Sequence, residues 1–389
     1  MTVGYTGNNY PEKRNIIGRV DQTHYVNLSS KNYFAYINRI NFWWKNFFGR
    51  SLMASDYYQF RSIAPLGVEG IHFFNSVSYS TTPWITTFET LLPYFDRIKS
   101  DFKRNPQWEQ WKQDPHIVCA MQALSSDSCK KILALSQHTK KIQEEVLRHF
   151  PEFEKSILQK LDVLHPPQSA VEYQPRTFNG AFQLVFVGRA FYRKGGQELV
   201  HALDRLRKEI PINLTIVSSL DAENGWPGIN PKQIEEDKAW LKSQHWITYH
   251  EKLENDQVLR LFEKSHLGFL PTWQDTYGYS VLEMQSRGCP VISTGVRSLP
   301  EINKEEVGWI LAHETNAWGE WKEIPTSRES KVSNQLASEI YRLTREILQN
   351  PQAMEAKGRA AVERIRIEHN PVTHAQTLSD YYQHLFKKK

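Results

Sequence analysis

The run AFQLVFVGRAFYRKGGQELVHALDRLRKEI, residues 181–210, reads as a short buried strand, a basic glycine-bearing loop and an amphipathic helix in immediate succession. The apolar stretch ends at Gly188, and Leu199, Ala202, Leu203 and Leu206 then return at helical spacing. The same alternation continues downstream. NLTIVSS (213–219) predicts a strand and residues 232–243 a helix. WIT (246–248) predicts a short strand, NDQVLRLFEKS (255–265) a helix, and HLGFLP (266–271) a strand closed by Pro271. YGYSVLEMQSRG (277–288) predicts a helix, and CPVIS (289–293) and GWIL (308–311) two more strands. Short strands alternating with longer helices predict an α/β fold with a doubly wound parallel sheet covered on both faces.

Outward from this block the pattern changes. From Ser330 on, three long helical segments follow one another, with Pro351 and Pro371 at helix-start positions. Upstream, EGIHFFNS (69–76) and PWITTFE (83–89) predict strands, KKILALS (130–136) a strand running into the helix 137–150, and KLDVLHPP (160–167) a strand stopped by prolines. QSAVEYQPRTFNG (168–180) has no sustained period and is the linker candidate. The expected organisation is one Rossmann-like domain over 1–170, a second over 171–370, and a last helical segment, 371–389, returning to the first domain. Two such domains facing each other form a cleft lined by the carboxyl ends of their strands.

The composition agrees with two globular domains. The chain has 389 residues, 40% of them hydrophobic, which at roughly 150 residues per domain suggests two cores. A net charge of +5 argues against a dedicated nucleic-acid binder and permits an anionic ligand or an acidic membrane surface. Cys119, Cys129 and Cys289 are too few and too scattered for a disulfide framework or a zinc cluster. With no signal-peptide pattern and no membrane-spanning run, a cytoplasmic protein is expected, with peripheral attachment at the inner face of the membrane as a further option.

Two loops carry the chemistry. In VFVGRAFYRKGG, Gly188, Arg189, Lys194, Gly195 and Gly196 stand where a strand hands over to a helix, suited to holding a diphosphate. Solvated surface cations are the plainer reading. The pattern matches neither the dinucleotide-binding GxGxxG nor the P-loop. In PTWQDTYGYSVLEMQSRGCPVIS (271–293), Asp275 precedes Gly278 and a helix start at Tyr279 and Ser280, while Glu283 follows inside that helix. These groups suit a ligand bearing both hydroxyls and phosphate. A structural salt bridge is the alternative for Glu283.

The ordered set FVGR…RKGG, then LP…D-x-x-G-x-x-x-x-E-x-x-x-x-G-x-PVI, then LPEI (299–302) resembles the family 4 glycosyltransferases, retaining sugar-nucleotide enzymes of GT-B architecture. The resemblance covers residues 181–311, with weaker continuations at 134–136 and 163–167. It implies that Arg189 and Lys194 bind the donor diphosphate, with Gly278, Tyr279 and Ser280 meeting sugar or phosphate through the main chain. It also implies that Asp275 contacts the donor sugar catalytically and that Glu283 holds the nucleotide ribose. Three departures stand out. The first acid is usually Glu and is Asp275 here. Arg297 and Ser298 replace small residues before LPE, making Arg297 a candidate contact for a phosphate or an anionic acceptor. Glu89 follows Phe88 where a His is expected, so Glu89 is either the residue that orients the donor sugar or a surface or capping acid. Gly4 and Gly7 offer the expected N-terminal glycine loop ambiguously.

The expected function is retaining transfer of a sugar from a UDP- or GDP-linked donor to a glycan, lipid-linked or small-molecule acceptor. No cofactor and no metal are expected. The alternative is a non-catalytic sugar-nucleotide or glycan binder of the same fold. Aromatic residues make up 12% of the chain and concentrate in NYFAYINRINFWWKNFFGRS (32–51), among Arg39, Lys45 and Arg50. That segment admits three readings: packing into the first domain, a peripheral membrane contact, or a stacking groove for a carbohydrate acceptor.

Overall fold

A computed structural model describes residues 1–49, 57–62, 65–102, 105–221, 226–227 and 229–386. Residues 50 and 51 of the aromatic segment and the terminal lysines 387–389 lie outside them. The chain divides into two compact units, Met1–Pro167 with Pro371–Lys389, and Gln168–Asn370.

In the first unit six parallel strands lie in the order His24–Asn27, Thr2–Tyr5, Gly70–Phe74, Trp84–Phe88, Cys129–Ala134, Leu161–Val163. Gly70–Phe74 and Trp84–Phe88 are buried at every position, the mark of strands covered on both faces. The helix Pro371–Phe386 closes this unit. Its buried residues His374, Leu378, Tyr382 and Phe386 are spaced four apart and share one face. The Tyr382 hydroxyl lies 2.7 Å from Nδ1 of the buried His72, whose Nε2 lies 2.8 Å from the Thr87 hydroxyl. Gly70 leaves room for the Phe386 ring, since a Cβ there would stand 2.2 Å from it.

The second unit repeats the plan with Ile247–His250, Ile212–Val217, Phe182–Val187, Leu267–Leu270, Val291–Thr294 and Gly308–Leu311, again all parallel. The chain runs outward on one side of Phe182–Val187 and then returns to Leu267–Leu270 on its other side. The strand order therefore reverses between these two neighbours, and the loops leaving their carboxyl ends form the crevice of a doubly wound sheet. Residues 168–180 have no regular structure but are not a free linker. The Gln168 N–H donates to the His369 carbonyl at 2.8 Å, and Arg176 Nε donates to the Ser265 carbonyl at 3.1 Å, strapping the segment onto the second unit.

Two further expectations need correction. Packing into the first domain is confined to one end of the aromatic segment: it forms a helix, Tyr33–Phe48, in which Asn41 is the one buried residue and half-buried Phe34 meets Tyr79 with ring centroids 5.8 Å apart. Its aromatic side chains could not be assigned a face from sequence because they occur all round the helix. The strands Thr2–Tyr5 and His24–Asn27 are additional to those expected. No described helix is long and apolar enough to cross a membrane.

Candidate functional site

The loop after Phe182–Val187 and the loop after Leu267–Leu270 meet at the reversal point of the second sheet. Gly195 permits the meeting. It sits at φ +75°, and a Cβ there would stand 2.1 Å from the Pro271 carbonyl oxygen. Only glycine accepts both the left-handed backbone and that approach. Hydrogen bonds then lace the loops together: the Trp273 N–H donates to the Arg193 carbonyl at 3.0 Å, and Arg193 Nη1 to the Gln274 carbonyl at 3.3 Å. The Thr272 hydroxyl donates to the Gln274 carbonyl at 2.8 Å.

At the end of this lacing the Lys194 ammonium forms an ion pair with the Asp275 carboxylate, with side chains 14% and 11% exposed. Oδ1 of Asp275 accepts the Thr276 N–H at 2.8 Å. Burial pushes the Asp275 pKa up, but the Lys194 charge and hydrogen bond, with Arg193 and the Thr276 N–H, outweigh it and hold the carboxyl below its ordinary value. Asp275 is therefore an anion at neutral pH. Arg189 is exposed and, among the described residues, takes part in no ion pair or hydrogen bond.

Gly278, at φ +92°, is the N-cap of the helix Tyr279–Ser286. The Val281 N–H bonds back to the Gly278 carbonyl at 2.9 Å. Tyr279 and Ser280 supply the preceding N–H groups, which have no acceptor within the helix and carry the positive end of its dipole. Glu283 lies on this helix and is buried. Arg189, Lys194, Asp275, Gly278, Tyr279, Ser280 and Glu283 thus belong to one unit and to two neighbouring strand-to-helix connections.

Arg297 does not join them as an exposed cation. It is buried at φ +48°, and its Nε is paired with the equally buried Glu320 carboxylate. Its N–H donates to the Gly319 carbonyl at 2.8 Å. A guanidinium committed in this way braces the loop 316–320. Glu320 lies well downstream of the motif and had no local signal that would have connected it to Arg297.

Glu89 belongs to the first unit, just past Trp84–Phe88. It forms a reciprocal pair with Asn75, which follows Gly70–Phe74: the Glu89 N–H donates to Asn75 Oδ1 at 3.1 Å, and Asn75 Nδ2 donates to Glu89 Oε1 at 3.3 Å. Asn75 holds φ +58°, a conformation asparagine tolerates better than most residues. Asn75 was not singled out from sequence, although NS at a strand end is a recognisable turn signal. The N-terminal glycine loop resolves to Gly7, at φ +80°, where a Cβ would strike the Glu12 carboxylate. Gly4 lies within the strand Thr2–Tyr5, against Leu28. Among the described residues no cluster of three or more His, Cys, Asp or Glu side chains could hold a metal ion.

Residues 181–321 match the family Glycosyl transferases group 1. Over 239 residues the chain is 26% identical to the O-antigen chain mannosyltransferase B of Escherichia coli, covering 55% of this chain and 59% of that protein. Over 140 residues it is 26% identical to an uncharacterized glycosyltransferase of Methanocaldococcus jannaschii, covering 35% of this chain and 34% of the other. The chain thus spans less than two thirds of the length of these curated relatives. Among solved structures, a sucrose-phosphate synthase from Thermosynechococcus elongatus superposes with TM-score 0.59 at 14% identity, covering 99% of both chains. Anabaena Alr3699/HepE in complex with UDP-glucose gives TM-score 0.58 at 12% identity, covering 98% of this chain and 99% of that one. At such identities the likeness is one of fold. The family match falls on the connections that carry Arg189, Lys194, Asp275 and Glu283: over residues 181–321 the chain is similar to the group 1 glycosyltransferases, and its fold is that of the GT-B glycosyltransferases.

Proposed function

We propose that the protein is a retaining glycosyltransferase that takes a sugar from a UDP- or GDP-linked donor and passes it to a carbohydrate-type acceptor. The observation that carries this reading is the joining of Lys194 and Asp275 at the switch point of the second sheet, beside exposed Arg189 and the Gly278-capped helix. Cations and helical N–H groups suit a diphosphate, and an anion held next to them suits the hydroxyls of a sugar attached to it. The relative solved with UDP-glucose has the same fold and supports a nucleotide-sugar donor. The mannosyltransferase relative supports a glycan acceptor.

In this reading Lys194, Arg189 and the N–H groups of Tyr279 and Ser280 take the charge that develops on the departing diphosphate. The bond between the donor anomeric carbon and the phosphate oxygen breaks, and an acceptor hydroxyl oxygen bonds to that carbon on the same face. The hydroxyl proton passes to the leaving phosphate oxygen. Asp275 orients the sugar and Glu283 the ribose, and Glu89 is read with Asp275 as a catalytic acid. No metal or cofactor has a part in it. The proposed location is the cytoplasm.

The test is a panel of UDP- and GDP-sugars, scored for nucleoside diphosphate release with and without simple glycosides. Proton NMR of the product reads the anomeric configuration. One donor turned over with its configuration kept is the expected result. Nucleotide binding with no turnover of any donor would favour the non-catalytic binder, and an inverted product would refute retention.

A further inference from the structure

The helix Tyr33–Phe48 of the first unit has the reverse of ordinary amphipathicity. Its one buried residue is the polar Asn41, while Tyr33, Tyr36, Ile40, Phe42, Trp43, Phe47 and Phe48 are exposed. Trp43 is 58% exposed and Phe47 76%, too open to count as partly covered core residues. The helix is anchored at its start. Asn32 caps it by accepting the Phe34 N–H at 3.2 Å and donates from Nδ2 to the Gln59 carbonyl at 2.8 Å; Gly49 ends it in the left-handed conformation.

Beyond Ile40 the exposed rings spread round more than half of the helix circumference. At about 100° per residue, Trp43, Phe47 and Phe48 lie roughly 100°, 140° and 240° round the axis from Phe42. The cations are interleaved with them, Arg39 at roughly 60° and Lys45 at roughly 300°. Both are exposed, and neither has an ion-pair partner among the described residues. A flat protein partner covers one arc of a helix and leaves the rest wet. A lipid interface takes up a ring-bearing tip on all sides, with indole and phenyl groups at headgroup depth and the cations on lipid phosphates. The charge pattern selects an anionic surface: residues 22–55 contain Lys31, Arg39, Lys45 and Arg50 and no Asp or Glu.

We infer that Tyr33–Phe48 is a docking helix for anionic lipid bilayers, its aromatic end entering the interface among the headgroups. The inference is independent of the donor-site reading, because neither the helix nor its test involves nucleotide.

The experiment is flotation of the full chain, at low salt, with vesicles of phosphatidylcholine alone or with about 30% phosphatidylglycerol. The wild type should float with the anionic vesicles only. Trp43→Ser with Phe47→Ser should lower the partition coefficient at least about tenfold, and Arg39→Gln with Lys45→Gln about twentyfold. Both variants change exposed residues, and circular dichroism and light scattering would be recorded alongside. Wild type that stays with the unbound fraction would overturn the proposal. So would unchanged flotation of the aromatic variant, which would place lipid binding elsewhere on the chain. A dimer that the aromatic variant converts to monomer, with no vesicle binding by either, would identify the helix as a contact between copies instead.

Discussion

Lys194 and Asp275, 81 positions apart in the chain, close an ion pair between the two loops that leave neighbouring parallel strands. Each is mostly withdrawn from water, so the pair acts as a unit. Removing one partner leaves the other's charge uncompensated, whereas removing both does not. Lys194→Ala and Asp275→Ala should each lower stability by about 3 kcal/mol, and the double variant by clearly less than the sum, giving a coupling above about 1 kcal/mol. Urea denaturation of the four proteins measures this. Additive effects would show that the two charges do not sense each other.

Gly195 brings those loops together. Gly195→Ala should cost at least about 2 kcal/mol, because the new methyl meets backbone rather than a movable side chain. Gly180 is the control: its φ is +82°, but nothing stands within 4 Å of a Cβ there, so Gly180→Ala carries only the backbone penalty, about 1 kcal/mol. Equal destabilisation at the two sites would rule out the close approach to Pro271.

For Glu89, the amide of Glu89→Gln can keep the bonds to Asn75 while removing the negative charge. If the charge serves the reaction, kcat should fall about a hundredfold while the melting temperature and nucleoside diphosphate affinity hold. Asn75→Gly keeps the left-handed backbone but removes both side-chain bonds, and should raise KM and lower kcat together. A normal kcat for Glu89→Gln would reduce Glu89 to a loop acid.

His72 makes the fold sensitive to acid. Burial lowers its pKa from 6.5 to about 3, with the charge of His374 adding to the shift. The folded value lies below the unfolded one, so the unfolded chain binds the proton first. Stability from this group is complete above about pH 6.5 and is lost as pH falls from there towards 3, by up to about 1.4 kcal/mol per pH unit. Denaturation midpoints at pH 7.0, 6.0 and 5.0 should fall in the wild type and less steeply in His72→Gln, whose amide does not titrate. Parallel slopes would show that other groups govern the acid response.

How much of this was legible in the sequence differs between the units. In the second, strands such as Phe182–Val187 and Leu267–Leu270 are largely apolar runs ended by glycine or proline, so both the sheet and the loops bearing Lys194 and Asp275 could be anticipated. Their pairing could not, since it depends on a strand order that brings distant segments side by side. The burial of Arg297 was invisible for the same reason, its partner Glu320 being set by tertiary folding. In the first unit, TVGY and HYVN are too short and too polar to announce strands. The helix Tyr33–Phe48 misled in another way: apolar residues usually mark the inner face, and here they cover the outer one.

In the proposed function Arg189 and Lys194 hold the diphosphate of a nucleotide at the switch point of the second sheet. Calorimetric titration of UDP and GDP into the wild type and into Arg189→Ala/Lys194→Ala tests it most directly. One of the two nucleotides should bind the wild type, and the double variant should bind it at least about thirtyfold more weakly, since each charge-assisted hydrogen bond to phosphate that disappears costs about 1 kcal/mol or more. An unchanged affinity in a folded double variant would contradict the account.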